Sequence, residues 1–307
     1  MLSDSFRPLR SALYLPATNQ RAIDKSRSLA ADVVIFDLED AVAADLKATA
    51  RANLVAAFSN AGPWGHGLRV VRVNAIDSPF LDEDLDLVAT CRPDAILLPK
   101  VSGERDVLEI AGRVAGRSVG KQPALWCMIE TAQGLTRLNE IVTTALSVQP
   151  RLGCLVVGTN DIARETGVST LEHRRYMVPW LMSTVLAAKA NGVSVLDGVW
   201  NDFKNATGFE EETRQAQLMG FDGKTLIHPS QIEFANAAFA PSSQAVDDAR
   251  AIVVAFADPA NAGRGVLNMN GRMVELLPLE MARRTLQISE AIRLAGEARR
   301  GRTFLDL

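Results

Sequence analysis

Short apolar runs alternate with amphipathic segments along most of the chain, and this alternation occurs eight times. Each run has the length and composition of a strand that is covered on both faces, and the segments between the runs have the periodicity of helices. Alternation of this kind indicates βα units and a parallel sheet. Eight such units in about 230 residues predict an α/β fold of the TIM (β/α)8 barrel type rather than an open sheet. The runs lie at residues 12–15, 33–37, 69–73, 95–98, 124–129, 152–157, 194–196 and 222–227.

Two of these runs lead directly into a carboxylate. The fifth is followed by Glu130, and the sixth by the turn Gly158-Thr159-Asn160-Asp161. If the two strands are parallel neighbours, both acids lie at the carboxyl-terminal mouth, where barrel enzymes carry their active sites. Two hard oxygen ligands in one mouth fit Mg²⁺, which retains several waters and needs few protein ligands. Each acid alone fits equally well as a helix N-cap, whereas the pair favours a metal site.

Further charged residues follow the second, third and fourth runs. Asp37, Glu39 and Asp40 come after the second run, where they can hold metal-bound waters or can cap the start of a helix. Arg72 ends the third run, and a guanidinium among carboxylates can bind a substrate carboxylate or stabilise an oxyanion. A structural ion pair with one of the acids is an equally good interpretation of Arg72. We interpret Lys100, after the fourth run, as structural.

Composition and charge exclude several classes of function. The net charge is −3 and the pI is near 5.7, which argues against nucleic-acid binding because that requires a strongly basic face. No apolar run is long enough to span a bilayer, and the amino terminus has no apolar signal core. Cys91, Cys127 and Cys154 are widely spaced, which fits buried thiols in a reducing compartment. We therefore expect a cytoplasmic enzyme that acts on small molecules, with no membrane and no nucleic-acid partner.

The pattern changes towards the carboxyl terminus. A proline and two serines at 241–243 break the preceding helix and provide N-cap residues for the next one. Residues 266–275 alternate as a hairpin around an Asn-Gly turn, and residues 279–299 are patterned as an amphipathic helix. We therefore divide the chain into a barrel with the magnesium site at 1–240 and a small lid or arm at 241–307. We expect this lid to cover its own barrel or to contact a neighbouring subunit.

Seven segments in and around the predicted strands carry recognisable motifs. They are LRSALYLP at 9–16, VIFDLEDAV at 34–42, VRVN at 71–74, LLPKV at 97–101, IETA at 129–132, GTND at 158–161 and GFDGKTLIHPSQ at 220–231. Together they resemble the citrate lyase β-subunit-like (CitE-like) family, which is related to the HpcH/HpaI aldolases and to malyl-CoA and citramalyl-CoA lyases. The segments keep the family's order, so the resemblance covers the whole presumed barrel.

The resemblance implies a TIM barrel that binds Mg²⁺ through Glu130 and Asp161. It implies that Arg72 contacts the oxygen atoms of the substrate and that the turn at 158–160 contributes to substrate binding. The implied chemistry is a reversible Claisen-type cleavage of a 3-hydroxy-3-carboxyacyl-CoA, such as malyl-CoA or citramalyl-CoA. The products are acetyl-CoA and a 2-oxo acid, and the metal acts as a Lewis acid on the oxo-acid oxygen.

The resemblance also implies coenzyme A thioesters as substrates, with Arg10 and Lys25 near the coenzyme phosphates. Members of the family are commonly homotrimers or hexamers in which the C-terminal segment covers the site of a neighbouring subunit. The lyases carry an aspartate in that segment, in a pattern like Gly-x-Met-Ile-Asp-x-Pro. This chain has Glu275 in that place and a proline one residue later than the pattern. Glu275 is the candidate for the acid–base role of that aspartate.

This departure leaves other reactions open. The same site can serve a malyl-CoA-type thioesterase, which releases free coenzyme A. The chain can also be a citrate lyase β-like subunit that needs an acyl-carrier partner, or a 2-oxo acid aldolase that does not use coenzyme A. The leading expectation is a magnesium-dependent carbon–carbon lyase.

Overall fold

The computed structural model describes residues 7–59, 67–117, 122–261, 265–269 and 272–303. The chain forms two compact units. The first, Leu9–Ala238, contains the barrel, and the second consists of the chain from Phe239 onward together with residues 7–8. The boundary lies close to the predicted division of the chain after residue 240.

Eight parallel strands form a closed barrel in sequence order, with the last strand paired to the first. The predicted fold class is therefore confirmed. The strands are β1 Ser11–Pro16, β2 Val33–Asp37, β3 Leu68–Arg72, β4 Ala95–Leu98, β5 Ala124–Ile129, β6 Leu152–Val157, β7 Ser194–Asp197 and β8 Gly223–Leu226. Closure leaves no free edge in this sheet, and it directs all eight carboxyl ends to one mouth.

Helices connect the strands of the barrel unit. They are α1 Gln20–Ser26, α2 Lys47–Ser59, α3 Leu81–Cys91, α4 Glu104–Ala115, α5 Ala132–Thr136, α6 Leu138–Ser147, α7 Thr159–Thr166, α8 Leu171–Arg174, α9 Val178–Ala190, α10 Ala206–Met219 and α11 Ile232–Ala238. The side chains of Asn19, Thr131 and Asn205 accept hydrogen bonds from backbone N–H groups in the first turns of α1, α5 and α10. These caps define where the loops after β1, β5 and β7 become helical.

Alternate residues of the strands fill the barrel interior, because successive side chains of a strand point to opposite faces. The buried interior residues are Ala12, Val33, Ile35, Val70, Ala95, Leu97, Trp126, Met128, Cys154, Val156 and Leu196. Asp37, Arg72, Glu130 and Gly158 each stand two positions beyond the last interior residue of their strand. The same alternation therefore directs these four positions to the barrel axis at its carboxyl-terminal mouth.

One helix is shorter than the sequence pattern predicts. The periodicity indicates a helix over 173–191, whereas α9 begins at Val178. Three of the four residues of the short α8 segment, Glu172, His173 and Arg174, have left-handed backbone angles, with φ values of 51°, 55° and 57°, so α8 is not a regular α-helical turn. Pro179 lies in the first turn of α9, where its missing N–H breaks no helical bond. The apolar periodicity of the sequence continues across this break. The spacing of apolar residues alone therefore does not indicate where the backbone becomes left-handed.

The left-handed segment places Arg174 in a buried group of charges. Arg174 Nη1 donates to Asp197 Oδ1 at 2.8 Å, and Lys224 Nζ donates to Asp197 Oδ2 at 2.6 Å. Lys224 Nζ also donates to Glu212 Oε1 at 2.8 Å, so two cations face two carboxylates. Burial acts to raise the pKa of Asp197, but the two cations outweigh burial and hold this pKa below its usual range. Asp197 and Lys224 are fully buried, so neither can exchange its partner for water.

The second unit contains two helices and a pair of strands. Strand β9 (Val266–Met269) pairs antiparallel with β10 (Arg272–Glu275), as predicted, and the turn residues between them lie outside the described residues. Helix α12 (Ser243–Ala257) packs against α13 (Leu276–Thr303). The contact of this unit with a neighbouring subunit stays a prediction. None of the helices in the described ranges combines the length and the apolar character needed to cross a membrane.

We expect Asp197→Ala to lower the free energy of unfolding by about 3–5 kcal/mol, because Arg174 and Lys224 would lose their shared buried carboxylate. Urea denaturation followed by circular dichroism measures the change. Glu233→Ala, on an exposed position of α11, is the matched control and should change stability by less than about 0.5 kcal/mol. Equal denaturation midpoints for the two variants would contradict a stabilising role for the buried charges.

Candidate active site

A cavity of about 320 Å³ lies at the carboxyl-terminal ends of the barrel strands. Its wall includes Tyr14 from β1, Asp37 and Arg72 from the ends of β2 and β3, Met128 from β5, and Gly158 and Asp161 after β6. Apolar and charged groups therefore meet in one concave surface. This composition and location are those of a small-molecule site in a barrel enzyme.

Arg72 is the buried cation of the cavity wall. Its Nε donates to Asp37 Oδ1 at 2.7 Å and its Nη2 donates to Asp37 Oδ2 at 2.5 Å. Its Nη1 lies 3.0 Å from Glu39 Oε2 and 3.9 Å from the weakly accepting sulfur of Met128. These contacts leave guanidinium N–H donors for a ligand in the cavity. The ion pair that the sequence offered as one interpretation of Arg72 is present, and its contact with substrate stays a prediction.

The acidic run after β2 is bound largely by cations of the protein. Lys100 Nζ forms an ion pair with Glu39 and lies 3.5 Å from Asp40 Oδ1. Burial raises the pKa of Glu39, while Arg72 and Lys100 act to lower it. Asp37 and Glu39 are buried, whereas Asp40 is exposed. The predicted role of these acids in holding metal-bound water therefore stays a prediction, and the exposed Asp40 has the most accessible carboxylate for it.

Glu130 follows β5 and is almost completely buried. Lys100, in the left-handed conformation with φ 56°, donates its backbone N–H to Glu130 Oε1 at 2.8 Å. The other oxygen, Oε2, has no hydrogen-bond partner among the described residues. Burial, and then the negative charge of Asp161, raise the pKa of Glu130 to about 8. A buried carboxylate oxygen without a partner requires an explanation, and a bound cation supplies one.

Gly158 allows the end of β6 to approach Glu130 closely. A Cβ atom at position 158 would lie 2.4 Å from Glu130 Oε2 and 2.5 Å from Glu130 Cβ, so no larger residue fits without moving the carboxylate. Asp161 lies three residues further, in the first turn of α7, where it lines the cavity and forms an ion pair with Arg164. The structure therefore brings both predicted acids to one mouth, close enough for their charges to interact.

The residues present fit Mg²⁺. This ion takes oxygen ligands in octahedral geometry and keeps several waters, so one or two carboxylates are enough. Glu130 and Asp161 provide two such carboxylates, one of them with an unpartnered oxygen. Within the described ranges, no three His, Cys, Asp or Glu side chains form a metal site. A metal held by this pair would therefore complete its coordination with water and substrate, and the two ligand assignments stay predictions.

Two residues predicted near a coenzyme do not join this cavity. Arg10 precedes β1 and therefore stands at the amino-terminal end of the barrel, opposite the mouth. Its buried guanidinium donates to both oxygens of Asp32, at 2.7 and 2.9 Å. The charge of Arg10 is therefore compensated inside the protein at that end, and its contact with coenzyme phosphates stays a prediction. Lys25 is exposed in the last turn of α1, away from the cavity lining, and its role stays a prediction.

The structure also adds residues that the sequence did not single out. Tyr14 and Met128 line the cavity, and the alternation of β1 and β5 is the signal that places them inside the barrel. Asn160, in the predicted substrate turn, exchanges hydrogen bonds of 2.8 and 3.2 Å with Asn201 after β7. No local pattern indicates that pairing. Glu275 ends β10 in the second unit; its side chain lies outside the described residues, and its acid–base role stays a prediction.

We expect Gly158→Ala to weaken Mg²⁺ binding about tenfold or more, because the added methyl displaces the Glu130 carboxylate. Isothermal titration calorimetry with MgCl₂ measures the affinity. Gly112→Ala in α4 is the matched control, since its Cβ would meet no atom within 4 Å. Unchanged Mg²⁺ affinity in Gly158→Ala would argue against Glu130 as a ligand.

We expect Glu130→Gln to stabilise the metal-free protein at neutral and alkaline pH. The carboxyl pKa rises from 4.5 to about 8 in the fold, so the charged form is disfavoured there. The loss of folding free energy caused by ionised Glu130 is absent below about pH 4.5, increases with pH, and reaches its full value above about pH 8. Thermal unfolding with a chelator between about pH 5 and pH 9 should show a gain that grows with pH and then levels off. A difference that does not vary with pH would contradict the raised pKa.

Comparison with known proteins places this geometry in a family. The family model described as HpcH/HpaI aldolase/citrate lyase matches residues 10–229. The (3S)-malyl-CoA thioesterase of Cereibacter sphaeroides is 44% identical over 285 residues, which cover 93% of this chain and 96% of that relative. The L-malyl-CoA/beta-methylmalyl-CoA lyase of the same species is 33% identical over 310 residues, with coverage of 93% and 96%.

Solved structures agree with this assignment. Protein CitE from Mycobacterium tuberculosis, in complex with magnesium, acetoacetate and coenzyme A, matches with a TM-score of 0.71 and 30% identity over 93% of this chain and 99% of that chain. RipC from Yersinia pestis matches with a TM-score of 0.63 and 28% identity over 76% and 96%. The family resemblance of the strand-end motifs is thereby confirmed, and the chain belongs to the HpcH/HpaI aldolase/citrate lyase family.

Proposed function

We propose that this protein is a magnesium-dependent hydrolase of a malyl-CoA-type thioester. The observation that carries the proposal is the pair of acids Glu130 and Asp161 beside Arg72 at the barrel mouth. Carboxylates suit a metal that chelates a 2-hydroxy acid, and a guanidinium suits the carboxylate of that acid. The relative that is 44% identical and named a malyl-CoA thioesterase supports the thioester as the bond that is cleaved.

The residues of the cavity are suited to bind and orient the acid end of such a substrate. Bound Mg²⁺, held by Glu130 and Asp161, would supply Lewis-acid polarisation of a substrate oxygen. The magnesium in the related CitE complex supports the choice of metal. Arg72 is held in place by Asp37 and Glu39 before substrate arrives, so little reorganisation is needed when it binds a carboxylate. This arrangement fixes one end of the acyl group and limits the positions of the thioester.

Hydrolysis then takes place at the thioester carbonyl carbon. A water oxygen bonds to this carbon while the proton of the water passes to a base. The carbon–sulfur bond breaks, its electron pair leaves with sulfur, and the thiolate takes up a proton. The products are a malate-type dicarboxylic acid and free coenzyme A. Glu275 is our candidate for the base, because it stands where the family pattern has an acid in the C-terminal segment.

A second candidate is the carbon–carbon lyase that the sequence motifs predict. The lyase relative at 33% identity favours it, as does a cation that can face a developing alkoxide. In this reaction the substrate hydroxyl loses its proton, and the bond between the hydroxyl-bearing carbon and its methylene neighbour breaks. The electron pair passes to the acetyl carbon, which is then protonated, so that malyl-CoA yields glyoxylate and acetyl-CoA. Arg72 would contact the same substrate oxygens as in hydrolysis.

Two observations favour hydrolysis over carbon–carbon cleavage. The thioesterase relative is more similar to this chain than the lyase relative, at 44% against 33% identity over nearly the same share of the chain. Glu275 is one methylene longer than the aspartate of the lyase pattern, which changes the position of the carboxyl group. An acid that must protonate a particular carbon is sensitive to a shift of this size, because proton transfer requires hydrogen-bond distance.

We expect purified protein with Mg²⁺ and malyl-CoA to release free coenzyme A and malate in equal amounts. A thiol reagent measures the coenzyme, and phenylhydrazine measures any glyoxylate. Glu130→Gln and Asp161→Asn should each lose about a hundredfold or more of the activity, because metal polarisation contributes several kcal/mol. Glu165→Gln, an exposed acid in the same helix as Asp161, is the control and should keep wild-type turnover.

The products distinguish the alternatives. Release of glyoxylate and acetyl-CoA without free thiol would show that the enzyme is a carbon–carbon lyase and not a hydrolase. No turnover of any free coenzyme A ester, together with a stable acyl-carrier complex in a pull-down, would indicate a subunit of a larger lyase. Cleavage of a 2-oxo acid aldol without coenzyme A would indicate a simple aldolase. Full activity of both Glu130→Gln and Asp161→Asn would exclude the proposed metal site.

A further inference from the structure

Tyr14 lies on the floor of the cavity. It stands two positions beyond Ala12 on β1 and packs against the interior residues of the barrel. Arg72 and Met128 flank it, and all three side chains line the cavity. The side chain of Tyr14 is only partly buried, so a ligand that fills the cavity can reach it.

The ring and the hydroxyl of Tyr14 have different surroundings. The guanidinium carbon of Arg72 lies 5.0 Å from the centroid of the ring, which is a cation–π contact. A phenylalanine would make nearly the same contact and would pack against the same interior residues. The cation–π contact with Arg72 therefore accounts for an aromatic ring at position 14. It does not account for the hydroxyl group.

The hydroxyl has a poor partner. Within the described part of the chain, its hydrogen-bond contact is with the sulfur of Met128 at 3.8 Å, and a thioether is a weak acceptor. Because Tyr14 lines the cavity and this protein acceptor is weak, the hydroxyl is available to donate to a better acceptor that arrives with a ligand.

The charges around Tyr14 define the kind of acceptor. Burial raises the pKa of Tyr14, with Arg72 opposing and Asp37 and Glu130 reinforcing this effect. The phenol therefore keeps its proton and acts as a donor. A donor beside a guanidinium is suited to an anionic oxygen, because both groups stabilise negative charge.

We infer that Tyr14 is a positioning residue whose hydroxyl donates a hydrogen bond to an anionic oxygen of a bound 2-hydroxy or 2-oxo acid. The ligand class is a short carboxylic acid or the acid end of an acyl thioester, seated between Tyr14, Arg72 and the metal pair. This inference deepens the proposed function and rests on its substrate class. It does not depend on whether the carbon–sulfur or the carbon–carbon bond is broken.

The test is Tyr14→Phe, which removes the hydroxyl and keeps the ring under Arg72. Calorimetric titration of the Mg²⁺-loaded protein with malate and with glyoxylate should show affinity reduced about tenfold or more, the usual effect of losing a hydrogen bond to a charged group. Binding of acetyl-CoA, whose acyl group carries no carboxylate, should change less than twofold. The melting temperature should stay at or slightly above the wild-type value. Tyr176→Phe, at the other tyrosine of the chain and exposed, is the matched control.

Each other outcome has a defined meaning. Wild-type affinity for both acids in Tyr14→Phe would overturn the inference. A lower melting temperature with equal loss of malate, glyoxylate and acetyl-CoA binding would also overturn it, because it would show that the hydroxyl supports the fold. If the wild-type protein hydrolyses no coenzyme A thioester but binds the acids in a Tyr14-dependent way, the proposed function fails and the inference stands.

Discussion

The ion pair between Asp37 and Arg72 organises the mouth of the barrel. The register of β2 and β3 sets Asp37 opposite Arg72, so that the two side chains form a bidentate ion pair at the ends of their strands. Asp37 also accepts the backbone N–H groups of Glu39 and Ala41, at 2.9 and 3.1 Å. The Asp37 carboxylate therefore orients the Arg72 guanidinium. It also shapes the turn that places Glu39 beside that guanidinium. Loss of this contact would free both the cation and the acidic loop.

The distribution of charge at the mouth explains why a cation fits there. Asp37 and Glu39 are neutralised by Arg72 and Lys100, whereas Glu130, within the described ranges, receives a single backbone hydrogen bond and faces the charge of Asp161. Burial of an uncompensated carboxylate lowers stability, and its raised pKa is the measurable sign of that cost. A divalent cation bound there would remove this cost and would hold Glu130 in its ionised form. Without such a cation, the buried Glu130 carboxylate destabilises the fold at the predicted metal site.

Strand direction made much of the site predictable from the sequence. Residues that follow a strand of a parallel barrel lie at one mouth, and residues that precede a strand lie at the other. Glu130, Asp161 and Arg72 follow or end their strands, and the structure places them together. Arg10 precedes β1, so the same rule assigns it to the opposite end, although the family resemblance suggested a place beside the coenzyme.

The sequence by itself determined the eight-stranded barrel, the mouth at which the acids lie and the interior positions of the strands, because alternation and strand direction are local properties of the chain. Only the tertiary structure decided that Arg72 pairs with Asp37, that Asn160 meets Asn201, and that Oε2 of Glu130 has no partner among the described residues. The two contacts join residues that are distant in sequence. The unpartnered oxygen depends on which distant residues fail to reach it. They follow from strand register and barrel closure, which no short stretch of sequence records.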